Sequence, residues 1–228
     1  MNNTCTKLNN DIDFAYRRNE NTPRCALNFN LSLTDFDLPA GVYSLMTRLF
    51  MQGTKKYNAQ QLSEELDKYA IEFSTELKLD YIKFKFLCLN EDFEKALEIF
   101  TDIIKNTTFE EFEKEKAKLE GEIIAELDSP RAKVIDSYYK NIYENHRYGY
   151  TNTIILENIK NITKDDVINA YKNLLNKSKK VLAFVGDIEY DFVSKLLNEN
   201  LGDLPKSCEI STPAKPTLNQ AKKLEIIQ

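Results

Sequence analysis

What most constrains this chain is a change of hydrophobic period, from two to about 3.6 and back, repeated along its length. A period of two puts side chains on alternate faces of a strand, and a period near 3.6 gathers them on one stripe of a helix. Ile12, Phe14 and Tyr16 alternate with polar or small residues, and Cys25, Leu27, Phe29, Leu31 and Leu33 do so again. Between them, Asn19-Glu20-Asn21-Thr22-Pro23 has turn chemistry, which predicts an antiparallel hairpin. Residues 71–77 and 80–89 repeat the pattern as a second hairpin. In its second strand Tyr81, Lys83 and Lys85 share one face, and Ile82, Phe84 and Phe86 share the other. A last strand, Lys180 to Asp187, is strongly apolar.

Helical spacing fills the intervals. Val42, Leu45, Met46, Leu49 and Phe50 follow Pro39, and Gly53-Thr54 reads as the stop. Asn58, with Gln61 three residues on, has the form of a capping box for a helix holding Leu62, Leu66 and Tyr69. Asn90 is expected to cap a helix through Phe93, Leu97, Phe100 and Ile104. Another stretch runs from Phe109 to Leu127. Asp128-Ser129-Pro130 interrupts it, and Pro130 suits the first turn of a new helix. Asn145 to Thr153 reads as a loop. Thr163-Lys164-Asp165-Asp166 is an acidic helix start leading to Leu175, and a final helix covers Tyr190 to Asn200.

The order β-β-α-α-β-β-α-α-α-α-β-α implies an α+β layer fold, with a mainly antiparallel sheet and helices packed on one face. Residues 1–10 read as a polar N-terminal arm and 11–202 as a single domain. Residues 203–221, rich in Pro, Ser and Lys, read as a linker, and 222–228 as the first strand of a missing second half.

Composition narrows the function. At 228 residues, 42% hydrophobic and 29% charged, the chain suits one large globular domain or two small ones. A formal net charge of -5 supplies no basic footprint for nucleic acid. No apolar run approaches the ~20 residues of a membrane span. Met1 to Asp13 lacks the apolar core of a signal peptide, so a soluble protein is expected and its compartment is left open. Cys5, Cys25, Cys88 and Cys208 are widely separated and form no C-x-x-C, so they read as structural or incidental thiols. His146 is the one histidine, which excludes a two-histidine metal site or a triad built here.

Several local phrases then matter together. They include Gly41, Gly53-Thr54, Tyr57-Asn58-Ala59 and Leu62 within residues 41–69, and the stretches 90–123, 146–150 and 157–175. The strand ending Val185-Gly186-Asp187 completes the set. In order and spacing they resemble the pitrilysin/insulinase-type zinc peptidase family, which includes the mitochondrial processing peptidase. The resemblance covers roughly residues 8 to 205. It implies one half of a protomer whose two similar α/β halves close around a chamber holding an extended peptide.

In active members the helix matching residues 41–52 carries His-x-x-Glu-His, whose histidines hold zinc and whose glutamate activates the bound water. Here the matched positions hold Ser44, Thr47 and Arg48. A distant glutamate, the third protein ligand, matches Glu122. The resemblance therefore implies no catalytic residue and no zinc in this chain, with zinc expected in an active partner half or subunit. Glu122 reads as a solvated helix residue, or as a partner of Arg48 in place of the metal. His146 reads as a surface-loop residue or a substrate contact. Asp128-Ser129-Pro130-Arg131 reads as a helix junction.

The expected function is a non-catalytic, peptide-binding contribution to the chamber. The peptide would add as an extra strand at residues 71–77 or 80–89. The alternative is a structural or scaffold domain of a larger complex with no peptide role.

Overall fold

The computed structural model describes residues 3–218. One six-stranded sheet carries the whole described chain. Its strands are β1 (Asn3–Lys7), β2 (Asp13–Arg18), β3 (Arg24–Ser32), β4 (Glu72–Leu77), β5 (Tyr81–Leu89) and β6 (Lys180–Gly186), in the spatial order β1-β2-β6-β3-β5-β4. Only the β2–β6 pair is parallel. Eight α-helices complete it: α1 (Val42–Leu49), α2 (Ala59–Lys68), α3 (Phe93–Asn106), α4 (Phe112–Leu127), α5 (Pro130–Ile142), α6 (Asn152–Ile159), α7 (Lys164–Lys177) and α8 (Tyr190–Leu201). The α+β layer architecture read from the periodicity is the one observed.

The alternation in β3 and β5 sorts side chains between a helix-covered face and an open one. Leu27, Phe29 and Leu31 of β3 and Ile82, Phe84 and Phe86 of β5 are buried, whereas Asn28, Asn30, Lys83 and Lys85 are half-buried on the other side. The covered face is a run of aromatic contacts. Phe50, just past α1, meets Phe84 edge-on at 4.8 Å and also packs on Phe109 and Tyr171. Such pairs contribute about 0.5–1.5 kcal/mol each beyond area burial. They fix the C-terminal end of α1 against β5, α7 and the entry to α4.

Four expectations need correction. Residues 1–10 do not form a free arm, because Asn3–Lys7 is strand β1, antiparallel to β2 at the sheet edge. An edge strand exposed on nearly every residue has nothing to bury, so it leaves no hydrophobic period to detect. The first two strands do not pair as a hairpin. Strand β6 lies between them, parallel to β2 and antiparallel to β3. The helix after Asn90 is not capped by that residue. A 3-10 turn spans Asn90–Asp92, α3 starts at Phe93, and Asn90 Oδ1 is buried without a hydrogen bond among the described residues. The segment read as a loop from Asn145 to Thr153 contains a 3-10 turn at Arg147–Gly149 and the start of α6. Three successive apolar residues in α6, Ile154, Ile155 and Leu156, match neither period.

The capping signals are realised. Asn58 and Gln61 exchange side-chain and backbone bonds at the start of α2, and Thr163 and Asp166 do the same for α7. Gly41 enters α1 at φ 105, where a Cβ would also press on Ile155 and Ile162 at 3.1 Å.

The segment after α8 carries no helix or strand from 205 to 218, yet it is tied down. Ser207 N donates to Asn10 O at 2.9 Å, and Lys180 N donates to Ser207 Oγ at 2.9 Å. Lys180 is buried, its ammonium donates to Lys206 O at 3.1 Å, and burial pulls its pKa below the ordinary lysine range. The strand expected at 222–228 lies outside the described residues.

Candidate functional site

Helix α1 is buried at Val42, Tyr43, Leu45, Met46, Thr47 and Leu49, which leaves Ser44 and Arg48 as its half-buried stripe. Residues four apart stack on one helix face, so 44 and 48 share a side of α1, and Arg48 reaches α4. On α4 the buried positions are Phe112, Glu115, Leu119 and Ile123. Glu115 therefore occupies a core-facing slot that its neighbours fill with apolar side chains.

The two helices meet through one guanidinium. Arg48 Nη1 donates to Glu122 Oε2 and Nη2 to Glu122 Oε1, both at 2.9 Å, a bidentate fork. Arg48 Nε donates to Glu115 Oε2 at 3.0 Å. Exposure differs sharply across the cluster: 25% for the Arg48 side chain, 4% for Glu115 and 51% for Glu122. Burial works against the Arg48 charge, but the two carboxylates outweigh it and its pKa is raised. The hydrogen bond from Arg48 holds the Glu122 carboxyl below the usual carboxylate range. The pairing of positions 48 and 122 was one of two readings of the sequence. Glu115 was not singled out, although its spacing of seven from Glu122, two helical turns, was there to be read.

Thr47 faces inward. Its hydroxyl donates to Tyr43 O at 2.7 Å, and its own carbonyl accepts from Thr75 Oγ1 at 3.0 Å. That last bond fastens α1 to β4, the terminal strand of the sheet. Ser44 lines a cavity of about 370 Å³ with Phe36, Leu38, Tyr43, Leu77 and Arg147. His146 stands apart from α1. Its Nδ1 accepts from Tyr148 N at 3.2 Å, which leaves Nε2–H to donate to Ala214 O at 2.9 Å. It ties the tail to its own loop. Asp128 to Arg131 forms the α4–α5 junction, with Pro130 in the first turn of α5.

This donor set does not fit zinc. A guanidinium offers no lone pair and stays charged. Ser44 supplies a neutral hydroxyl, and the Thr47 hydroxyl is engaged within its own helix. Both carboxylates are already held by Arg48. Among the described residues no group of three or more His, Cys, Asp or Glu side chains converges as a metal needs. None is a helix long and apolar enough to cross a membrane.

Comparison with known proteins places this geometry. The profile described as insulinase (peptidase family M16) matches residues 15–153, more than half of the chain. The chain belongs to the insulinase family of peptidases. A second profile, the M16 inactive domain, matches residues 161–228. Relatives of this M16 domain include the mitochondrial-processing peptidase subunit beta of Neurospora crassa, 24% identical over 79% of this chain and 38% of that protein. The human subunit is 25% identical over 77% and 36%. An uncharacterized zinc protease of Rickettsia felis is 24% identical over 66% and 37%. The chain thus spans less than two fifths of the length of these relatives.

Among solved structures, a protease from Helicobacter pylori superposes with a TM-score of 0.84 at 17% identity, covering 96% of this chain and 55% of that one. A peptidase M16 inactive domain from Pseudomonas fluorescens gives 0.81 at 16%, covering 95% and 55%. These two show the fold. The seam between the two profile matches does not follow the sheet. Strand β6, in the second match, sits between β3, in the first, and β2, whose residues from 15 on are in the first.

Proposed function

We propose that this M16 domain is a non-catalytic half that holds an extended peptide for a zinc-bearing partner half or subunit. What carries the proposal is the Arg48 cluster. At the helix positions where active relatives are expected to hold zinc, a cation bound by two glutamates takes the place of a metal. It keeps the α1–α4 contact closed by charge pairing and supplies neither a Lewis acid nor a base for water. The peptide is taken at β4. This strand ends the sheet, no other strand among the described residues pairs its outer side, and the Thr75–Thr47 bond sets it beside the cluster. An added strand would gain main-chain hydrogen bonds along that edge. Strand β5, the other sequence candidate, is enclosed by β3 and β4.

The test uses an extended fluorescent peptide and its backbone N-methylated twin, read by anisotropy. Strand addition predicts at least about tenfold weaker binding of the twin, roughly 1.4 kcal/mol. Equal binding, or none, removes the peptide role.

One observation favours the second reading, a structural domain of a larger complex. Helix α5 buries only Asp136, which accepts from Thr153 N at 3.1 Å, and turns Val134, Ile135, Tyr138 and Tyr139 outward. An apolar face of that kind marks a contact surface. In the first reading the same face meets the partner half.

A further inference from the structure

Cys25 and Cys88 are 63 residues apart in sequence and share no motif. The sheet makes them directly opposed partners on the antiparallel β3–β5 ladder. Both lie on the helix-covered face, at 2% and 0% exposure, with sulfurs 3.5 Å apart. Opposed residues of antiparallel strands keep their Cα atoms ~4.5–5.5 Å apart. A disulfide spans ~4.4–6.8 Å between Cα atoms, so no change of register is needed to join them. Gly186 of β6 packs against Cys25, where an added Cβ would come within 2.4 Å of Cys25 Cβ. The absent side chain is what lets β6 run alongside Cys25 on β3. Cys5, by contrast, is exposed on β1, and Cys208 is half-buried in the tail.

We propose that Cys25 and Cys88 are an oxidation site at which hydrogen peroxide closes a disulfide between β3 and β5. The enclosure selects the oxidant. Sulfurs this enclosed exclude a tripeptide disulfide, so the oxidation is assigned to a molecule little larger than water. Cys25 is the less enclosed of the two, at 2% exposure against 0%, and its hydrogen bond with Cys88 lowers its pKa, so Cys25 is the attacking thiolate. Cys25 Sγ attacks one peroxide oxygen. The O–O bond breaks, giving the Cys25 sulfenic acid and hydroxide. Cys88 then gives up its proton, its sulfur displaces the sulfenic oxygen from Cys25, and that oxygen leaves as water. Two thiols lose two electrons, and one peroxide becomes two waters. The product ties β5, which carries the edge strand β4, to the centre of the sheet. It does not touch the Arg48 cluster, so the inference stands apart from the peptide-binding role.

The experiment uses the full chain with Cys5→Ser and Cys208→Ser, treated with hydrogen peroxide. Intact mass is expected to fall by two hydrogens, a digest to join the Cys25 and Cys88 peptides, and dithiothreitol to reverse both. Two free thiols after unfolding, or oxygen added without a cross-link, overturns the proposal. With Cys88→Ala added, the route stops at the sulfenic acid, which dimedone labels on Cys25. No label there overturns the order of attack.

Discussion

Arg48 concentrates the chemistry of this domain in one side chain. Its removal strands Glu115, which is 4% exposed, without its cation. Breaking a buried pair in this way costs roughly 3–5 kcal/mol, and the partial exposure of Arg48 places Arg48→Ala nearer about 2–3 kcal/mol. Urea unfolding of the two proteins checks the figure. The acid side carries a sign as well. Glu122 has a folded pKa below its unfolded value, so its share of stability is present above the ordinary carboxylate range and is lost as pH falls through the lowered value. The wild-type advantage over Arg48→Ala should therefore shrink below about pH 4. A reverse substitution tests the missing-ligand argument directly. Ser44→His, Thr47→Glu and Arg48→His together put two histidines four apart on the α1 stripe and release Glu122. That triple variant should bind zinc, measured by elemental analysis, where the parent does not. A triple variant that stays metal-free, or a parent that loads zinc, defeats the assignment of positions 44, 47, 48 and 122.

Elements were legible where local physics is sufficient. The capping box at Asn58 and the acidic cap at Thr163 were readable from four residues each, because the bonds that make them lie within one turn. Thr163→Ala should cost about 1 kcal/mol by losing the bond from Asp166 N, and thermal unfolding reads it out. A change below a few tenths would mean that packing alone holds the start of α7. Strand β1 and helix α6 were missed for opposite reasons. The strand is nearly all exposed and leaves no alternation, while the helix carries adjacent apolar residues that blur its stripe. The Asn90 cap fell short because the chain makes a tight turn before α3, a choice set by how β5 delivers it to the core.

At the scale of the molecule, the β4 edge and the outward face of α5 are assigned, in the proposed function, to contacts with other chains. Val134→Lys with Tyr138→Lys changes side chains 59% and 58% exposed, so the domain's own stability should move by less than about 0.5 kcal/mol per site. Association with a zinc-bearing M16 partner, followed by sedimentation velocity, should be lost. Undiminished association would move the contact elsewhere.

The sequence by itself determined the layer class, the strand and helix periods and most element limits. These depend on side-chain type and on spacings of two, three or four residues. The tertiary structure alone decided that β6 would part β2 from β3, that Glu115 would join Arg48 and Glu122, and that Cys25 would face Cys88. Each of those unites residues 63 or more apart along the chain. No local period encodes such meetings, because the packing of a shared core selects them.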